Sequence, residues 1–404
     1  MSLRIIHITA SYKPAFIYGG PIQSVGKLCE ALVQSKELKL STDDQVAINK
    51  YSIQVLTTTA NGKAELNVET GKQQSVNGVP VTYYKRWTKD HSHFSFDLLL
   101  SLQKEILRST QDDKLMIHIH GWWNLISVLG CLVAKWHRIP VVLSPRGMLT
   151  VYTQTNRNAN AKRIFHKVLG KRLLKYCHIH ATSDREKTDI LKIISSNAIT
   201  VIPNLVNLAK NIVPIVESKE SIFFNLIFLS RIEEKKGLEL LFDALATIDL
   251  PWRLTIAGTG EENYVNTLTQ KAKSLKLNER IKWVGQIADD SKFDLLANHD
   301  LLLLPSYNEN FANVVVESLS VGTAVLVSEK VGLADYVKKK DLGWVCSLTP
   351  GSIQLNLLNA FKGLEKRSKI RSSSNETVKE DFCDQILLEK YLQLYKSVLN
   401  QKGE

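Results

Sequence analysis

The feature that most constrains this chain is an alternation of short β-branched runs with amphipathic stretches of helical length, and the alternation occurs in two series. The first series places apolar runs at Arg4–Thr9, Ile53–Thr58, Val79–Tyr84, Leu115–His120, Pro140–Leu143 and Thr200–Ile202. Amphipathic stretches at Gln23–Val33, Phe96–Leu107 and Arg163–Lys175 lie between several of them. The second series runs Phe223–Leu229, Arg253–Ala257, Ile281–Val284, Leu301–Leu304 and Ala324–Val327 as strands. Its helices are Gly237–Ala246, Tyr264–Leu275, Asp290–Ala297 and Val314–Val321. Strands alternating with helices predict parallel sheets covered on both faces. The polar, proline-bearing stretch Asn204–Glu220 separates the series and reads as a hinge. The expected division is 1–205, a hinge at 206–220, a second domain at 221–375, and a C-terminal helix within 376–404 around Glu380–Leu399.

A length of 404 residues suits two such domains, and 44% hydrophobic with 23% charged residues is ordinary globular composition. Disordered, collagen-like and repeat classes are excluded. Five scattered cysteines contain no CxxC pair, which suggests neither a disulfide framework nor a zinc site and fits a reducing cytosol. The opening MSLRIIHITASYKP is too short an apolar run for a signal peptide. No stretch reaches the 18 or so apolar residues of a spanning helix. A cytoplasmic protein, at most peripheral to a membrane, is expected. The 52 basic against 40 acidic residues, +12, leave nucleic acid, an anionic membrane and phosphorylated small molecules open as partners.

Open α/β sheets bind ligands outside the carboxyl ends of their strands. The segment Pro305–Gly322 follows the apolar run Leu301–Leu304, so Glu309 stands at a strand end and Glu317 lies eight residues later. Backbone N–H groups from Ala312 to Val314 would open a helix and favour an anion there. A solvated helix start with two incidental acids has the same spacing. His118 and His120 share a strand face. A metal is one reading of that pair, although no carboxylate or third histidine is near in sequence. His178-Ile-His180 repeats the pattern and reads as structural. His7, His91, His93, His137, His166 and His299 carry no argued role.

With Phe311 two residues after Glu309 and Gly322-Thr-Ala-Val after Glu317, this segment resembles the retaining GT-B glycosyltransferases of family 4. Ser230-Arg231-Ile-Glu-Glu-Lys-Lys236-Gly237 is similar to that family's G-R-L-x3-K-G segment, and Ile256-Ala-Gly258-Thr-Gly260-Glu261 to its I-x-G-x-G-x-E turn. Val284-Gly285, the pair Gly19-Gly20, His118-Ile-His120-Gly121 and Ile202-Pro203-Asn204 match further positions. Leu205, Asn310 and Ala312 stand where the family usually has small residues, glycine foremost. The resemblance implies two doubly wound Rossmann-like domains facing a central cleft, acceptor-side first and nucleotide-sugar-side second. It also implies a C-terminal helix returning to the first domain.

The implied activity is transfer of a sugar, with retention, from a UDP- or GDP-type donor to a saccharide or lipid-linked acceptor in polysaccharide or glycan assembly. No cofactor or metal is required. Arg231 and Lys236 would neutralise the diphosphate, Glu317 accept the ribose hydroxyls, and Glu309 and His120 hold the donor sugar. Gly19, Gly20, Gly258, Phe311, Ala312, Asn313 and Val314 would complete the donor site. Arg146, in Ser144-Pro-Arg146-Gly147, and the pair Trp122–Trp123 are candidates for the acceptor, with an exposed turn and core packing as the rival readings. From Val151 to Ser183 the chain has no acid but seven bases, Arg157, Lys162, Arg163, Lys167, Lys171, Arg172 and Lys175. This stretch reads as a basic amphipathic helix, either touching an anionic membrane over Arg157–Lys175 or presenting a solvated face. A nucleotide-sugar epimerase on the same fold is the rival enzyme. A nucleic-acid-binding protein is the rival from another class, without a recognised motif to support it.

Overall fold

The computed structural model describes residues 2–35, 50–90, 92–109, 113–150, 153, 169–195, 198–209 and 222–401. Two compact units result, Met1–Leu205 with Asp384–Glu404, and Val206–Cys383.

The first unit runs β1 (Ser2–Thr9), α1 (Gly20–Gln34), β2 (Lys50–Thr58), β3 (Ala60–Asn61), β4 (Ala64–Glu65), β5 (Gln73–Val76) and β6 (Val79–Tyr84). It continues α2 (Phe96–Leu107), β7 (Asp113–His120), α3 (Leu125–Trp136), β8 (Val141–Ser144), α4 (Lys171–Tyr176), β9 (His178–Ala181), α5 (Asp184–Leu191) and β10 (Ile199–Val201). Its eight-stranded sheet has the order β10-β9-β8-β7-β1-β2-β6-β5, and β5 alone is antiparallel to its neighbour. The central strands are predominantly apolar, as burial on both faces demands, with His7, His118 and His120 among their buried polar residues. Ile6, Ile8, Ile117, Ile119, Val141, Leu143 and Trp122 share one core. Ser95, Asn124 and Ser183 cap α2, α3 and α5 by accepting a backbone N–H, which fixes where each helix begins.

The second unit runs β11 (Phe224–Leu229), α6 (Leu238–Leu245), β12 (Trp252–Ala257), α7 (Glu262–Ser274), β13 (Ile281–Gly285), α8 (Asp289–Ala297) and β14 (Leu301–Leu304). It ends with α9 (Asn313–Ser320), β15 (Ala324–Ser328), α10 (Ala334–Lys339), β16 (Gly343–Cys346), α11 (Pro350–Lys362) and α12 (Leu364–Phe382). All six strands are parallel, in the order β13-β12-β11-β14-β15-β16. That is the doubly wound order 3-2-1-4-5-6, with its reversal between β11 and β14. The first unit reverses likewise between β7 and β1.

One expectation needs correcting. Residues 376–404 do not form a single helix. α12 ends at Phe382, Cys383 is extended with ψ 132°, and α13 spans Asp384–Asn400. Phe382 is buried beside Phe311 and Tyr336 of the second unit, whereas Leu387, Tyr391 and Tyr395 are buried in the first. A helix passing from one core to another must break, and one extended residue suffices. α13 packs on α1 and β8, and Lys27 pairs with Asp384 at 2.6 Å. Most of the expected hinge, 210–221, lies outside the described residues, as do Arg157, Lys162, Arg163 and Lys167. Of the basic stretch, the described residues include an α-helix over Lys171–Tyr176. Among the described residues no helix is long and apolar enough to cross a membrane.

The last helix thus stabilises the first unit. Leu387→Ala, at a fully buried position, is expected to cost about 2–5 kcal/mol. Native-state hydrogen exchange should show protection lost in β7 and β8 and unchanged in β14. Equal losses in both units would contradict this assignment.

Candidate functional site

At the strand reversal of the second unit, the loops after β11 and β14 meet. Gly237, φ 75°, lets the first loop lie against the second, since a Cβ there would sit 2.1 Å from the Pro305 carbonyl oxygen. Gly258, φ 141°, plays the same part after β12, where a Cβ would stand 1.9 Å from the Ser230 carbonyl oxygen. The loops are further joined by the Tyr307 N–H donating to the Lys235 carbonyl at 2.8 Å. Across this junction the Lys236 ammonium donates to the Glu309 carboxylate. Lys236 is buried, and Glu309 is pinned through its backbone to Lys330 and Gly332. Burial alone would raise the Glu309 pKa, but Lys236, Lys235 and Arg231 outweigh it and hold the carboxyl below its usual value. Arg231 pairs with Glu233 at 2.5 Å and remains partly exposed.

α9 begins beside Glu309. Its N-cap, Ala312, has φ 77°, in the left-handed region that suits glycine. The Ala312 side chain makes no cap, and the Val315 N–H donates to the Ala312 carbonyl at 3.0 Å. Phe311 does not face outward: its ring is 1% exposed and meets Phe382 edge-on at 6.0 Å, so any donor contact there is through backbone. Glu317, on the buried side of α9, accepts from Lys292 of α8 at 2.8 Å. Lys292 is itself buried and escaped the reading of the sequence. Its signal was weak, one lysine in a short helix whose start is acidic.

At the strand reversal of the first unit, His118 and His120 of β7 are joined by His7 of β1, all buried. Their ligand atoms lie within 4.8 Å of one another, so the third histidine missing from the sequence neighbourhood comes from the adjacent strand. Five of the six ring nitrogens are engaged within the protein, and the sixth, His7 Nε2, is buried without a partner. His118 bonds Tyr395 at 2.8 Å and Ser144 at 2.7 Å. His120 bonds His7 at 3.0 Å and accepts from the Arg146 Nε–H at 3.3 Å. A cation placed among these rings would displace those bonds and face the guanidinium. Ser144 continues to His180 at 2.6 Å, and His180 to the Ile202 carbonyl at 2.8 Å. Arg146 is 9% exposed and also donates to Ser24 and Asn204, each at 2.9 Å. The Ile202-Pro203-Asn204 turn is therefore built into this network, and His180 is structural.

The remaining candidates separate. Trp122 is fully buried in the first unit's core, which corrects its reading as an acceptor platform. Trp123 is half-buried, and its indole N–H donates to the Met148 carbonyl at 2.5 Å. Arg146 likewise presents its guanidinium to the protein interior rather than to an exposed turn. Gly19, φ 67°, and Gly20 turn the chain into α1.

Both sites predict measurable behaviour. Ala312→Gly removes left-handed strain worth about 1–2 kcal/mol against roughly 0.5–1 kcal/mol of added chain entropy, so a small gain in the second unit's stability is expected. Gly258→Ala, which drives a methyl into a backbone carbonyl, should destabilise that unit by several kcal/mol. Chemical denaturation of both variants reads the two signs.

Acid provides a second test. Burial, then neighbouring charges, depresses the pKa of His7 and His180 to about 3 and holds His118 and His120 well below 6.5. The folded state keeps these rings neutral while the unfolded chain binds protons below 6.5. Their contribution is complete above 6.5 and lost as pH falls toward 3. Each costs about 1 kcal/mol per pH unit in that window. Glu309, held below its usual value, adds a loss that begins near the unfolded-state 4.5 and grows as pH falls further. The first unit should therefore unfold first on acidification, seen as loss of hydrogen-exchange protection in β7 by pH ~5.

Comparison with known proteins agrees with this arrangement. A family model described as "Glycosyl transferases group 1" matches residues 216–376, and one described as "Glycosyltransferase Family 4" matches residues 45–210. An uncharacterized glycosyltransferase of Methanocaldococcus jannaschii is 22% identical over 99% of this chain and 100% of its own. The N,N'-diacetylbacillosaminyl-diphospho-undecaprenol alpha-1,3-N-acetylgalactosaminyltransferase of Campylobacter jejuni is 24% identical over 68% of this chain and 75% of its own. Among solved structures, Anabaena HepE in complex with UDP and glucose superposes with TM-score 0.71 at 17% identity, over 98% and 99% of the two chains. Sucrose-phosphate synthase from Thermosynechococcus elongatus gives 0.73 at 16% identity over the same shares. With one family model on each unit and the same fold throughout, the chain belongs to the group 1 glycosyltransferases of GT-B fold.

Proposed function

We propose that this enzyme is a retaining, metal-independent hexosyltransferase. It moves a sugar from a UDP- or GDP-type donor to a saccharide or lipid-linked acceptor during polysaccharide or glycan assembly at the cytoplasmic face of a membrane. The observation that carries the reading is the junction at the second unit's strand reversal. There Lys236, Arg231 and the N-terminal end of α9, where the helix dipole favours negative charge, form a cationic surface, with two carboxylates set beside it. Such a surface suits a diphosphate. The structure of HepE holding UDP and glucose, and the lipid-linked acceptor in the name of the Campylobacter relative, support the donor and acceptor classes.

In this reading the bond from the anomeric carbon to the β-phosphate oxygen breaks as Arg231, Lys236 and the Asn313–Val314 amides take up the growing negative charge. The acceptor hydroxyl attacks from the same face, and its proton passes to the leaving phosphate oxygen. Configuration is retained without a protein nucleophile. Glu309 positions Lys236 and a donor hydroxyl, and Glu317 serves the ribose with Lys292 fixing its carboxylate. His120 contributes at the end of β7, where its backbone carbonyl meets the transferred sugar. The bases of Arg157–Lys175 would hold the enzyme to anionic lipid, at about 1 kcal/mol for each base near the surface.

Lys236→Ala and Arg231→Ala are each expected to lower kcat by about 10²–10³. EDTA should leave the rate unchanged if no metal takes part. The assay is release of nucleoside diphosphate from a panel of nucleotide sugars with a mixed saccharide acceptor pool. Full activity in both variants would overturn the site. Donor conversion without acceptor would identify an epimerase instead.

A further inference from the structure

The hydrogen-bond partners in the first unit determine where the protons sit. A guanidinium nitrogen only donates. Arg146 Nε–H points at His120 Nδ1, so that nitrogen is unprotonated, and the neutral ring carries its proton on Nε2. His120 Nε2–H then donates to His7 Nδ1, which places the His7 proton on Nε2. The second chain follows the same logic from its other end. The Ile202 carbonyl only accepts, so His180 carries Nε2–H and its Nδ1 accepts from the Ser144 hydroxyl. Ser144 in turn accepts from His118 Nε2–H, and His118 Nδ1 accepts from the Tyr395 hydroxyl. Every bond in both chains has one direction only.

Arg146 is set into this network at a cost. Its φ of 52° lies in the left-handed region, strain that persists only where the surroundings over-determine it. The turn after β8 is thereby bent so that the guanidinium runs back beneath the end of β7. Ser24 of α1 and Asn204 both accept from its Nη1, its Nη2 is buried without a partner, and among the described residues no carboxylate accepts from it. An arginine this buried is not aimed at an exposed ligand. What it touches is the ring of His120.

We infer that Arg146 and His7 are positioning residues for His120. They lock its imidazole as the Nε2–H tautomer with both nitrogens occupied, so that the strand-end backbone, and not the ring, is offered to the transferred sugar. This rests on the reading above that His120 lies at that sugar. It assigns His7 a role and moves Arg146 from the acceptor to the support of β7. Releasing Arg146 would let the ring take up the other tautomer, and releasing His7 would let it turn. The ring would then be free to crowd the strand-end carbonyl, which accepts from the Ser127 hydroxyl at 3.4 Å.

The test is a two-bond ¹H–¹⁵N spectrum of the full-length protein with labelled histidine, alongside steady-state kinetics. His120 is assigned by its loss in His120→Gln. In the wild type, His120 should show an unprotonated Nδ1 and a protonated Nε2 between pH 7 and 8. Arg146→Met should give a mixture of tautomers at His120 with His118 and His180 unchanged. It should lower kcat about 10- to 100-fold, with donor KM within about threefold. Arg146→Lys, which keeps a donor, should restore the tautomer and most of the rate. If Arg146→Met fails to fold, His7→Phe frees His120 Nε2–H while Arg146 still keeps Nδ1 unprotonated, so the tautomer should persist and kcat should fall by a similar factor, and unchanged kcat in that variant overturns the role of His7. A protonated Nδ1 in the wild type overturns the inference, as does unchanged kcat in a variant whose tautomer has shifted. Absence of transfer by the wild type with every nucleotide sugar would instead overturn the proposed function and leave the spectra standing.

Discussion

Parallel strands deliver all their carboxyl ends to one edge of a sheet, and where the strand order reverses, the two loops on that edge diverge and leave room between them. Both units meet this constraint once, between β1 and β7 and between β11 and β14. The polar groups gathered there cannot be packed away as aliphatic side chains are, so each unit must satisfy them locally. The two units do so in opposite ways. The second pairs charges, Lys236 with Glu309 and Lys292 with Glu317. The first buries neutral rings around one guanidinium, that of Arg146, and connects them by bonds of fixed direction.

The difference has physical consequences. A buried ion pair is held chiefly by its partners, and removing one leaves the other uncompensated, at a cost of several kcal/mol. Lys236 and Glu309 are therefore matched in orientation before any anion arrives, which lowers the reorganisation a charged leaving group would demand. Neutral imidazoles hold position differently. Each has one donor and one acceptor, so its neighbours fix both its tautomer and its ring angle. The arrangement fails if any ring gains a proton, and the burial that precludes this at neutral pH makes the same unit sensitive to acid.

Much of the architecture was readable because strands and helices carry different hydrophobic periods. The runs Val79–Tyr84, Phe96–Leu107 and Leu301–Leu304 were legible to the residue. α3 was not, because Leu125–Trp136 is apolar almost all round and shows no polar face to set a period. α10 and α11 follow the last recognisable motif and were passed over. In the sites, Arg231, Lys236, Glu309 and Glu317 were singled out through the family resemblance, whose motifs set each at a fixed distance from a glycine or strand end. Lys292, His7, Asn204 and Tyr395 were not, because what brings them in is contact between segments far apart in the chain. Trp122 and Phe311 misled for the opposite reason: an aromatic in a strand-end loop looks the same in sequence whether it faces ligand or core.

That asymmetry bears on what each motif records. The histidines of β7 sit at a strand end in sequence, yet their chemistry is set by an arginine 26 residues on and a tyrosine 277 residues away. The tyrosine arrives on α13, the segment that leaves the second unit after Cys383 and packs on β8. Returning the last helix to the first unit therefore does more than cover apolar surface. Its hydroxyl supplies the O–H that gives the His118–Ser144–His180 chain its direction, and that chain closes on the carbonyl of Ile202, three residues before the chain passes into the second unit. The polar interior of the first unit is thus tied at both points where the polypeptide crosses between units. Any variant that detaches α13 is forced to leave His118 Nδ1 without its donor, so the fold of this unit and the protonation pattern of its strand ends cannot be varied independently.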